Sequence, residues 1–339
     1  MALSDPLAPP LPRELQLEVT GACNLACKMC LVRYRPKLGR RQGAMCFHTF
    51  KALVDDVPDL ERVVLQGLGE PLLAPDLFQM IEYASARGIR IGFNTNGTLL
   101  TRERARRLVE LDLDWLHISI DGATAATYEG IRDGSDFERV CRNVAGLTSV
   151  MRELGAEKPD LSLVFVAMRR NVHELAALVA LAADLGVPRL WVQNLSHSFN
   201  DTDPAGAYRE IRDYHEREAL WAGRDPDVDR AFDQARAAAD ERGIDLRLPR
   251  LEAPPPTPRA EGQPGCHWPF GSAYVTHDGK VQPCCMVMGA DRAVLGKVGD
   301  DGGFADVWHA TPYRDFRARL LTDEPPEVCA GCSLYRRVF

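Results

Sequence analysis

The alternation of short β-rich runs with longer amphipathic runs limits this chain to few folds. Between the β-rich runs, apolar residues recur at helical spacing over 47–57, 75–87, 101–111, 136–154 and 171–185. Repeated strand–helix units imply an α/β fold with a parallel sheet and right-handed crossovers, either doubly wound or an open barrel. The predicted strands are ELQLEVT (14–20), RVVLQG (62–67), IRIGFNT (89–95), WLHISID (115–121), LSLVFVAM (161–168) and RLWVQNL (189–195).

Polar and glycine-rich segments follow five of these strands. Each one alone is explained by turn chemistry. Five at the carboxyl ends of parallel strands indicate a binding site, because those ends meet at one rim. The segments are GACNLACKMC (21–30), GLGEP (67–71), NTNG (94–97), SIDG (119–122) and QNL (193–195).

Composition excludes several classes of protein. Hydrophobic residues make up 45% of the 339 positions, yet no apolar run approaches the roughly 20 residues of a membrane helix. The tail at 1–13 has neither the basic start nor the apolar centre of a secretory signal, so we expect a cytoplasmic protein without a membrane partner. A net charge of −7 argues against a nucleic-acid partner.

One basic segment, RYRPKLGRR at 33–41, departs from this acidic background. It is either a solvated loop or an anion site, and its position three residues after a cysteine cluster favours a role in binding an anionic substrate. Its basic residues are Arg33, Arg35, Lys37, Arg40 and Arg41.

The strand–helix period stops after residue 195. The sequence predicts a domain at 14–195 and two polar helices within 196–250, each starting at an Asp-Pro pair. We expect these to be solvated connecting helices rather than a lid or a partner face. A Pro-rich linker opens the final segment, 251–339, which is too small for much core of its own and needs a staple.

The ten cysteines fall mainly into two sets. In a reducing cytosol, clustered cysteines indicate metal ligands more than disulfides. Cys23, Cys27 and Cys30 have the spacing C-x3-C-x2-C, which lets three thiolates converge on one iron–sulfur cluster and leaves one iron open. Zinc, the alternative, requires a fourth ligand, and no further Cys or His lies close by in the sequence.

The second set lies near the C-terminus, on a predicted hairpin and the turn that follows. Four thiolates would complete an iron–sulfur cluster with no open position, although zinc remains an alternative for such pairs. The four are Cys266, Cys284, Cys329 and Cys332.

Together, EVTGACNLACKMC, GLGEPLL, NTNGTLL and HISIDGATAATYEGIRDGSDFERVCRNVAGL resemble the radical S-adenosylmethionine (SAM) superfamily over residues 14–195. The resemblance implies a partial (β/α)6 TIM-like barrel. In it, Cys23, Cys27 and Cys30 hold a [4Fe-4S] cluster whose fourth iron is chelated by SAM. Reductive cleavage of SAM then gives a 5′-deoxyadenosyl radical that abstracts a substrate hydrogen atom.

The resemblance also implies contacts to SAM. The GLGEP turn would meet the SAM amino group largely through its backbone, so the departure at Leu68 matters little. Other positions match family residues near the ribose, the substrate, the carboxylate and the adenine. The implied cofactor-binding residues are Gly67, Gly69, Glu70, Asn94, Asn96, Ser119, Arg132, Met29 and Leu195.

The C-terminal cysteines look like the twitch form of the SPASM extension, which implies a second [4Fe-4S] cluster beside a helix carrying Trp308, Tyr313 and Phe316. Three cysteines are left over. Cys141 has the spacing of a core residue, whereas Cys46 and Cys285 are candidate catalytic thiols that donate hydrogen to a substrate radical.

Relatives of this kind include sugar epimerases, aminocyclitol dehydrogenases and peptide-modifying enzymes. Because nothing resembles a leader-peptide recognition domain, we expect a carbohydrate-like or anionic small-molecule substrate and a flavodoxin- or ferredoxin-type electron donor. The three spare thiols favour epimerisation of a sugar carbon in an antibiotic pathway. A dehydrogenase, a peptide-modifying enzyme and a non-catalytic electron carrier or redox sensor are the alternatives.

Overall fold

The structure is a computed structural model, and it describes residues 5–38, 43–222, 225–254, 262–287 and 292–339. The side chains of residues 35–38 and 222 are not among the described atoms.

A mixed α/β architecture is built on one ten-stranded sheet in the order β12-β11-β10-β1-β3-β4-β5-β7-β8-β9, with β2 and β6 paired separately. Neighbours from β10 through β9 run parallel. The strands are β1 Glu14–Leu17, β2 Ala26–Cys27, β3 Arg62–Val64, β4 Arg90–Thr95, β5 Trp115–Ser119, β6 Arg132–Asp133, β7 Asp160–Val166, β8 Arg189–Gln193, β9 Asp245–Arg247, β10 Ser272–Val275, β11 Lys280–Gln282 and β12 Gly296–Lys297.

Helices cover the outer face of the sheet. Their apolar stripes pack against the strands, as do Leu108 of α4 and Val144 of α6, both fully buried. The helices are α1 Leu31–Leu38, α2 Phe47–Asp55, α3 Leu77–Ser85, α4 Arg102–Glu110, α5 Ala125–Ile131, α6 Phe137–Leu154, α7 Leu175–Asp184, α8 Arg209–Glu218, α9 Pro226–Arg242, α10 Trp268–Gly271, α11 Phe304–His309, α12 Thr311–Leu320 and α13 Glu327–Ala330.

The six predicted strands and the five helices between them are confirmed, with ends that differ by a few residues. The differences have local causes. Thr101 and Asp136 accept hydrogen bonds from backbone N–H groups of α4 and α6, and each therefore lies just before its helix. Gly155 ends α6 at φ 60°, a conformation that suits glycine.

The expectation of two solvated helices after residue 195 is wrong. Tyr214 and His215 of α8 are buried, and α9 packs against α7 and leads into β9, which extends the sheet beside β8. Asp225 and Pro226 do start α9, as predicted. The earlier Asp-Pro pair does not start a helix, because Asp203 accepts from the Ala205 N–H (2.9 Å) in a turn and α8 begins later.

The C-terminal segment is part of the same sheet rather than a detached unit. Its β10 pairs with β1, which places the hairpin β10–β11 beside the strand that leads into the first cysteine loop. The N-terminal tail is bound as well, because Trp308 Nε1 donates to the Pro10 carbonyl oxygen (3.1 Å). No described helix has the length and apolar character needed to cross a membrane.

Candidate active site

The three cysteines of the first set lie together in the loop after β1. Cys27 belongs to β2, which pairs with β6, and the Cys30 N–H donates to the Cys27 carbonyl oxygen (3.1 Å). Burial, with a smaller contribution from the neighbouring thiols, raises the pKa of Cys23 to about 11 and that of Cys27 to about 12. Thiols packed this way resist ionisation unless a cation joins them, so the donor set fits an iron cluster.

Two polar side chains approach these thiols. Asn96 Nδ2 lies 3.9 Å from Cys23 Sγ, and Arg132 Nη1 lies 3.9 Å from Cys27 Sγ. Arg132 is held by Asp121, whose Oδ2 accepts from Nε (2.7 Å) in a buried ion pair. Although burial opposes it, Asp121 keeps the pKa of Arg132 above its ordinary value, so the cation persists beside the thiols.

The GLGEP turn packs tightly against the cysteine loop. A Cβ at Gly69 would lie 2.1 Å from the Thr20 carbonyl oxygen, so only glycine fits there. The Glu70 N–H donates to the Ala22 carbonyl oxygen (2.8 Å), while its buried carboxylate accepts from Thr95 Oγ1 (2.7 Å). The Glu70 side chain therefore binds neighbouring strand ends and holds the turn against the cysteine loop.

An apolar patch lies beside the same loop. Met29 and Leu195 are buried in one cluster with Cys27, Met168 and Tyr214. Met29 and Leu195, two of the residues predicted to contact SAM, therefore lie in the same apolar cluster as one cysteine of the first set. Ser119 ends β5 and is half-buried.

A cavity of about 310 Å³ opens along one face of the sheet, between part of the GLGEP turn and Cys285. Gly67, Leu68 and Asn94 line it on the side of the first set, and Cys285 lines it on the side of the second. Tryptophans and side-chain amides dominate the wall, and no carboxylate is among its described lining residues. The wall also includes Gln16, Arg62, Gln66, Trp115, His117, Trp191, Gln193, Trp268 and Tyr274.

His117 is the residue of this wall that sequence reasoning missed. Its Nδ1 lies 3.1 Å from Asn94 Oδ1, and its ring lies 4.6 Å from that of Trp191. Burial, and then Arg62, lowers the pKa of His117 to about 4, so the imidazole is neutral at pH 7. Since the amide oxygen can only accept, Nδ1 carries the proton and Nε2 is an acceptor. The available signal was a polar residue at an alternate position in an otherwise apolar strand.

The second cysteine set also converges. Burial raises the pKa of Cys284, and Cys285, Cys332, Cys329 and Cys266 add to the effect in that order. Among the described residues, no three Cys, His, Asp or Glu side chains are close enough to hold a single ion. A cluster of several irons spreads its thiolate ligands over different metal atoms, whereas a zinc site requires all of its ligands at one ion.

The three remaining cysteines lie in different surroundings. Cys285 faces the cavity, whereas Cys46 is exposed at the start of α2, where its Sγ lies 3.3 Å from Thr49 Oγ1. The bond to Thr49 lowers the pKa of Cys46. Cys141 lies half-buried on α6. Of the two predicted catalytic thiols, the structure brings only Cys285 to the described cavity wall.

The basic segment gives limited support to an anion site. Arg33 is bound to Asp133 and to the Ala26 carbonyl oxygen (3.1 Å), so it fastens the cysteine loop to β6. The side chains of Arg35 and Lys37, together with Arg40 and Arg41, lie outside the described residues.

Comparison with known proteins was made against this geometry. The family model "Radical SAM superfamily" matches residues 17–158, and the model of the SPASM iron–sulfur cluster-binding domain matches residues 266–333. The mycofactocin maturase MftC of Mycobacterium ulcerans is 32% identical over 332 residues, which cover 95% of this chain and 80% of the maturase. The chain belongs to the radical SAM superfamily.

Two further similarities extend this result. The cofactor-modifying protein of tungsten-containing aldehyde ferredoxin oxidoreductase from Pyrococcus furiosus is 32% identical over 188 residues, 53% of this chain, and the match spans only 51% of that protein. The fold is shared with SuiB of Streptococcus suis, solved with its precursor peptide SuiA, at a TM-score of 0.70 and 16% identity, over 96% of this chain and 71% of SuiB.

Family membership settles the cofactors of this radical SAM enzyme. They are SAM with a [4Fe-4S] cluster for the barrel and further iron–sulfur ligation in the SPASM domain. A purely non-catalytic electron carrier is therefore no longer a competing interpretation.

Proposed function

We propose that this radical SAM enzyme inverts a carbon centre of a substrate held in the 310 Å³ cavity, and that Cys285 returns the hydrogen atom. The observation that carries the proposal is the position of Cys285. Cys285 lines the same cavity as Gly67, Leu68 and Asn94, and Gly67 and Asn94 are predicted SAM-binding residues.

Cofactor positions follow from the same geometry. Cys23, Cys27 and Cys30 would hold the cluster that binds SAM, and the second set would hold the auxiliary cluster. When bound, the first cluster and SAM supply a 5′-deoxyadenosyl radical that takes a hydrogen atom from the substrate. Asn96 and Arg132 would orient the loop and its ligand through their polar groups, since both already lie 3.9 Å from cysteine sulfur atoms.

The role of Cys285 is a single hydrogen-atom transfer. Its S–H bond breaks as a C–H bond forms on the opposite face of the substrate carbon, and the sulfur is left as a thiyl radical. One electron and one proton then restore the thiol. A flavodoxin- or ferredoxin-type donor provides the electron and solvent provides the proton.

The cavity wall supports a carbohydrate-like substrate. Aromatic rings of the wall such as those of Trp191 and Trp268 would pack against the C–H groups of a sugar ring, and the amides of Gln66 and Gln193 suit its hydroxyl groups. Arg62, the one arginine among the described lining residues, is already bound to Glu14 (3.0 Å), so the described part of the wall is better suited to a neutral substrate than to an anionic one.

Incorporation of deuterium tests the proposal. The enzyme is incubated anaerobically in D2O with SAM, reductant and candidate glycans, and products are analysed by mass spectrometry and NMR. We expect one deuterium at an inverted carbon, lost in Cys285→Ala but retained in Cys46→Ala, while 5′-deoxyadenosine still forms in both. Undiminished deuterium incorporation by Cys285→Ala would overturn the role of this thiol.

A second function, dehydrogenation of an alcohol, is favoured by His117. Its neutral Nε2 faces no described protein partner and is able to take a hydroxyl proton as the carbon is oxidised. The adenosyl radical would take the hydrogen atom from the carbon, and one further electron must then leave the substrate. An iron–sulfur cluster can accept a single electron. A ketone product without deuterium, abolished by His117→Gln, would identify this reaction instead.

A peptide substrate is supported by the relatives rather than by the cavity. Mycofactocin maturase is a relative over most of the chain, and SuiB was solved with a precursor peptide. Including short peptides beside the glycans in the same assay separates the two substrate classes, because only the correct class yields stoichiometric 5′-deoxyadenosine.

A further inference from the structure

A buried carboxylate, Glu18, lies where the two cysteine regions meet. It follows β1 directly, and its side chain is only 4% exposed. Its Oε2 accepts from the Leu68 backbone N–H (2.9 Å) and from the Tyr274 hydroxyl (2.8 Å), and its Oε1 lies 2.8 Å from His277 Nδ1. We call Glu18, the Leu68 N–H, Tyr274 and His277 the Glu18 junction.

The junction joins three segments that are far apart in sequence. Leu68 is the second residue of the GLGEP turn, whereas Tyr274 lies in β10 and His277 in the turn that leads to β11. Cys284 follows β11 after two residues. The carboxylate of Glu18 thus connects the backbone of the proposed SAM-binding turn with the hairpin that carries an auxiliary-cluster cysteine.

Packing leaves this connection little freedom. A Cβ at Gly67 would lie 2.3 Å from Glu18 Cγ, and a Cβ at Gly43 would lie 2.8 Å from the His277 ring. The Glu18 N–H also donates to the Val275 carbonyl oxygen (2.8 Å), which continues the pairing of β1 with β10. A shift of the hairpin therefore moves Glu18, and a shift of Glu18 moves the turn.

The charge of Glu18 strengthens the contact. Burial alone would raise its pKa, but the bonds from His277, Leu68 and Tyr274 outweigh burial and hold the pKa below its ordinary value. Hydrogen bonds to an ionised carboxylate are stronger than those between neutral groups.

We infer that Glu18 is a positioning residue that sets the backbone of the Gly67–Glu70 turn according to the placement of the β10–β11 hairpin, so that the auxiliary segment controls SAM affinity. The inference rests on the proposed location of SAM at this turn. It does not depend on whether the enzyme epimerises, dehydrogenates or modifies a peptide.

A double-mutant cycle tests the inference. The full-length protein, with its clusters reconstituted and oxidised so that no turnover occurs, is titrated with SAM by calorimetry under anaerobic conditions. We expect Tyr274→Phe to raise the dissociation constant about tenfold, the effect of losing one bond to a charged group. Glu18→Gln should weaken SAM binding further, and Glu18→Gln with Tyr274→Phe should weaken it by less than the product of the two single effects.

Controls separate positioning from loss of structure. Tyr83→Phe removes a comparable bond, from the Tyr83 hydroxyl to Asp55 Oδ1 (2.6 Å), at a distant surface, and should leave SAM affinity unchanged. Iron content and thermal unfolding are measured for every variant, and Tyr274→Phe serves where Glu18→Gln does not fold. Wild-type SAM affinity in Tyr274→Phe, or single effects that simply multiply, would overturn the inference. Failure of the wild-type protein to bind SAM would instead overturn the cofactor site.

Discussion

The two cysteine sets share one ligand chemistry, but they are assembled in different ways. Cys23, Cys27 and Cys30 lie within one short loop, so local turns bring most of the set together. The second set runs from Cys266 to Cys332, and it converges only because β10 joins β1 and the C-terminal helices pack beneath it. Cysteines that are close in sequence can converge without contacts from distant parts of the chain. Cysteines that are dispersed in sequence converge only when the tertiary structure around them is formed.

The largest expected difference between the two sets should appear when one cysteine of each set is replaced. We expect Cys23→Ser to lower 5′-deoxyadenosine formation by at least about 100-fold, since losing a ligand costs more than losing its outer partner. Stability of the fold should change little. Cys332→Ser should instead lower thermal stability, because it removes a staple of the C-terminal segment. Iron analysis, product assay and thermal unfolding measure the two outcomes.

The expected difference, that the first set serves SAM cleavage and the second set serves stability, would be wrong if Cys332→Ser kept its thermal stability and lost SAM cleavage as completely as Cys23→Ser.

The next largest effect concerns the buried ion pair behind the first set. Asp121→Asn leaves Arg132 charged without its partner, and we expect a loss of about 3–5 kcal/mol in the free energy of unfolding. Chemical denaturation measures it. Asp160→Asn, which breaks an exposed pair with Arg189 (3.1 Å), is the matched control and should cost less than about 1 kcal/mol. Equal losses in the two variants would contradict the importance of burial.

Arg317 gives the corresponding test in the second region. Its Nε donates to the Pro269 carbonyl oxygen (2.8 Å) and its Nη1 to that of Trp308 (2.9 Å), while its guanidinium stacks 4.0 Å from the Trp308 ring. Lysine keeps the charge but cannot make these bonds together, so Arg317→Lys should destabilise by about 2 kcal/mol. Denaturation of Arg314→Lys, an exposed neighbour, should show almost no change.

The smallest expected effect concerns the stability of the folded protein in acid. Burial lowers the pKa of His117 and His215 to about 4, below the ordinary value of 6.5. The unfolded chain therefore binds more protons below pH 6.5, and stability is complete above that pH and lost as the pH falls towards 4. As the pH falls from about 6.5 to 5, each of these histidines lowers the free energy of unfolding by up to about 2 kcal/mol. Denaturation of the metal-free chain should show a shallower slope in His117→Gln, and an unchanged slope in the exposed His48→Gln.

Sequence patterns predicted the parallel strands, the intervening helices and both cysteine sets. Period-two and period-3.6 patterns reflect which face is buried, and β1 and α6 follow them closely. The same patterns misassigned α8, because its polar surface conceals Tyr214 and His215, which bury against the cysteine loop. The periodicity of apolar residues predicts one helix or strand, but it does not predict which other part of the chain packs against it.

By itself, the sequence determined the spacing of the cysteines and the family, because three thiols within ten residues have few other uses and the motifs follow consecutive strands. Tertiary structure decided which side chains share the cavity. Cys285, His117 and Trp191 are far apart in sequence, and only the folding of the strands into one sheet places them on one wall. The Glu18 junction has the same origin, since this carboxylate connects two segments, the GLGEP turn and the β10–β11 hairpin, only when folding buries it among their hydrogen-bonding groups.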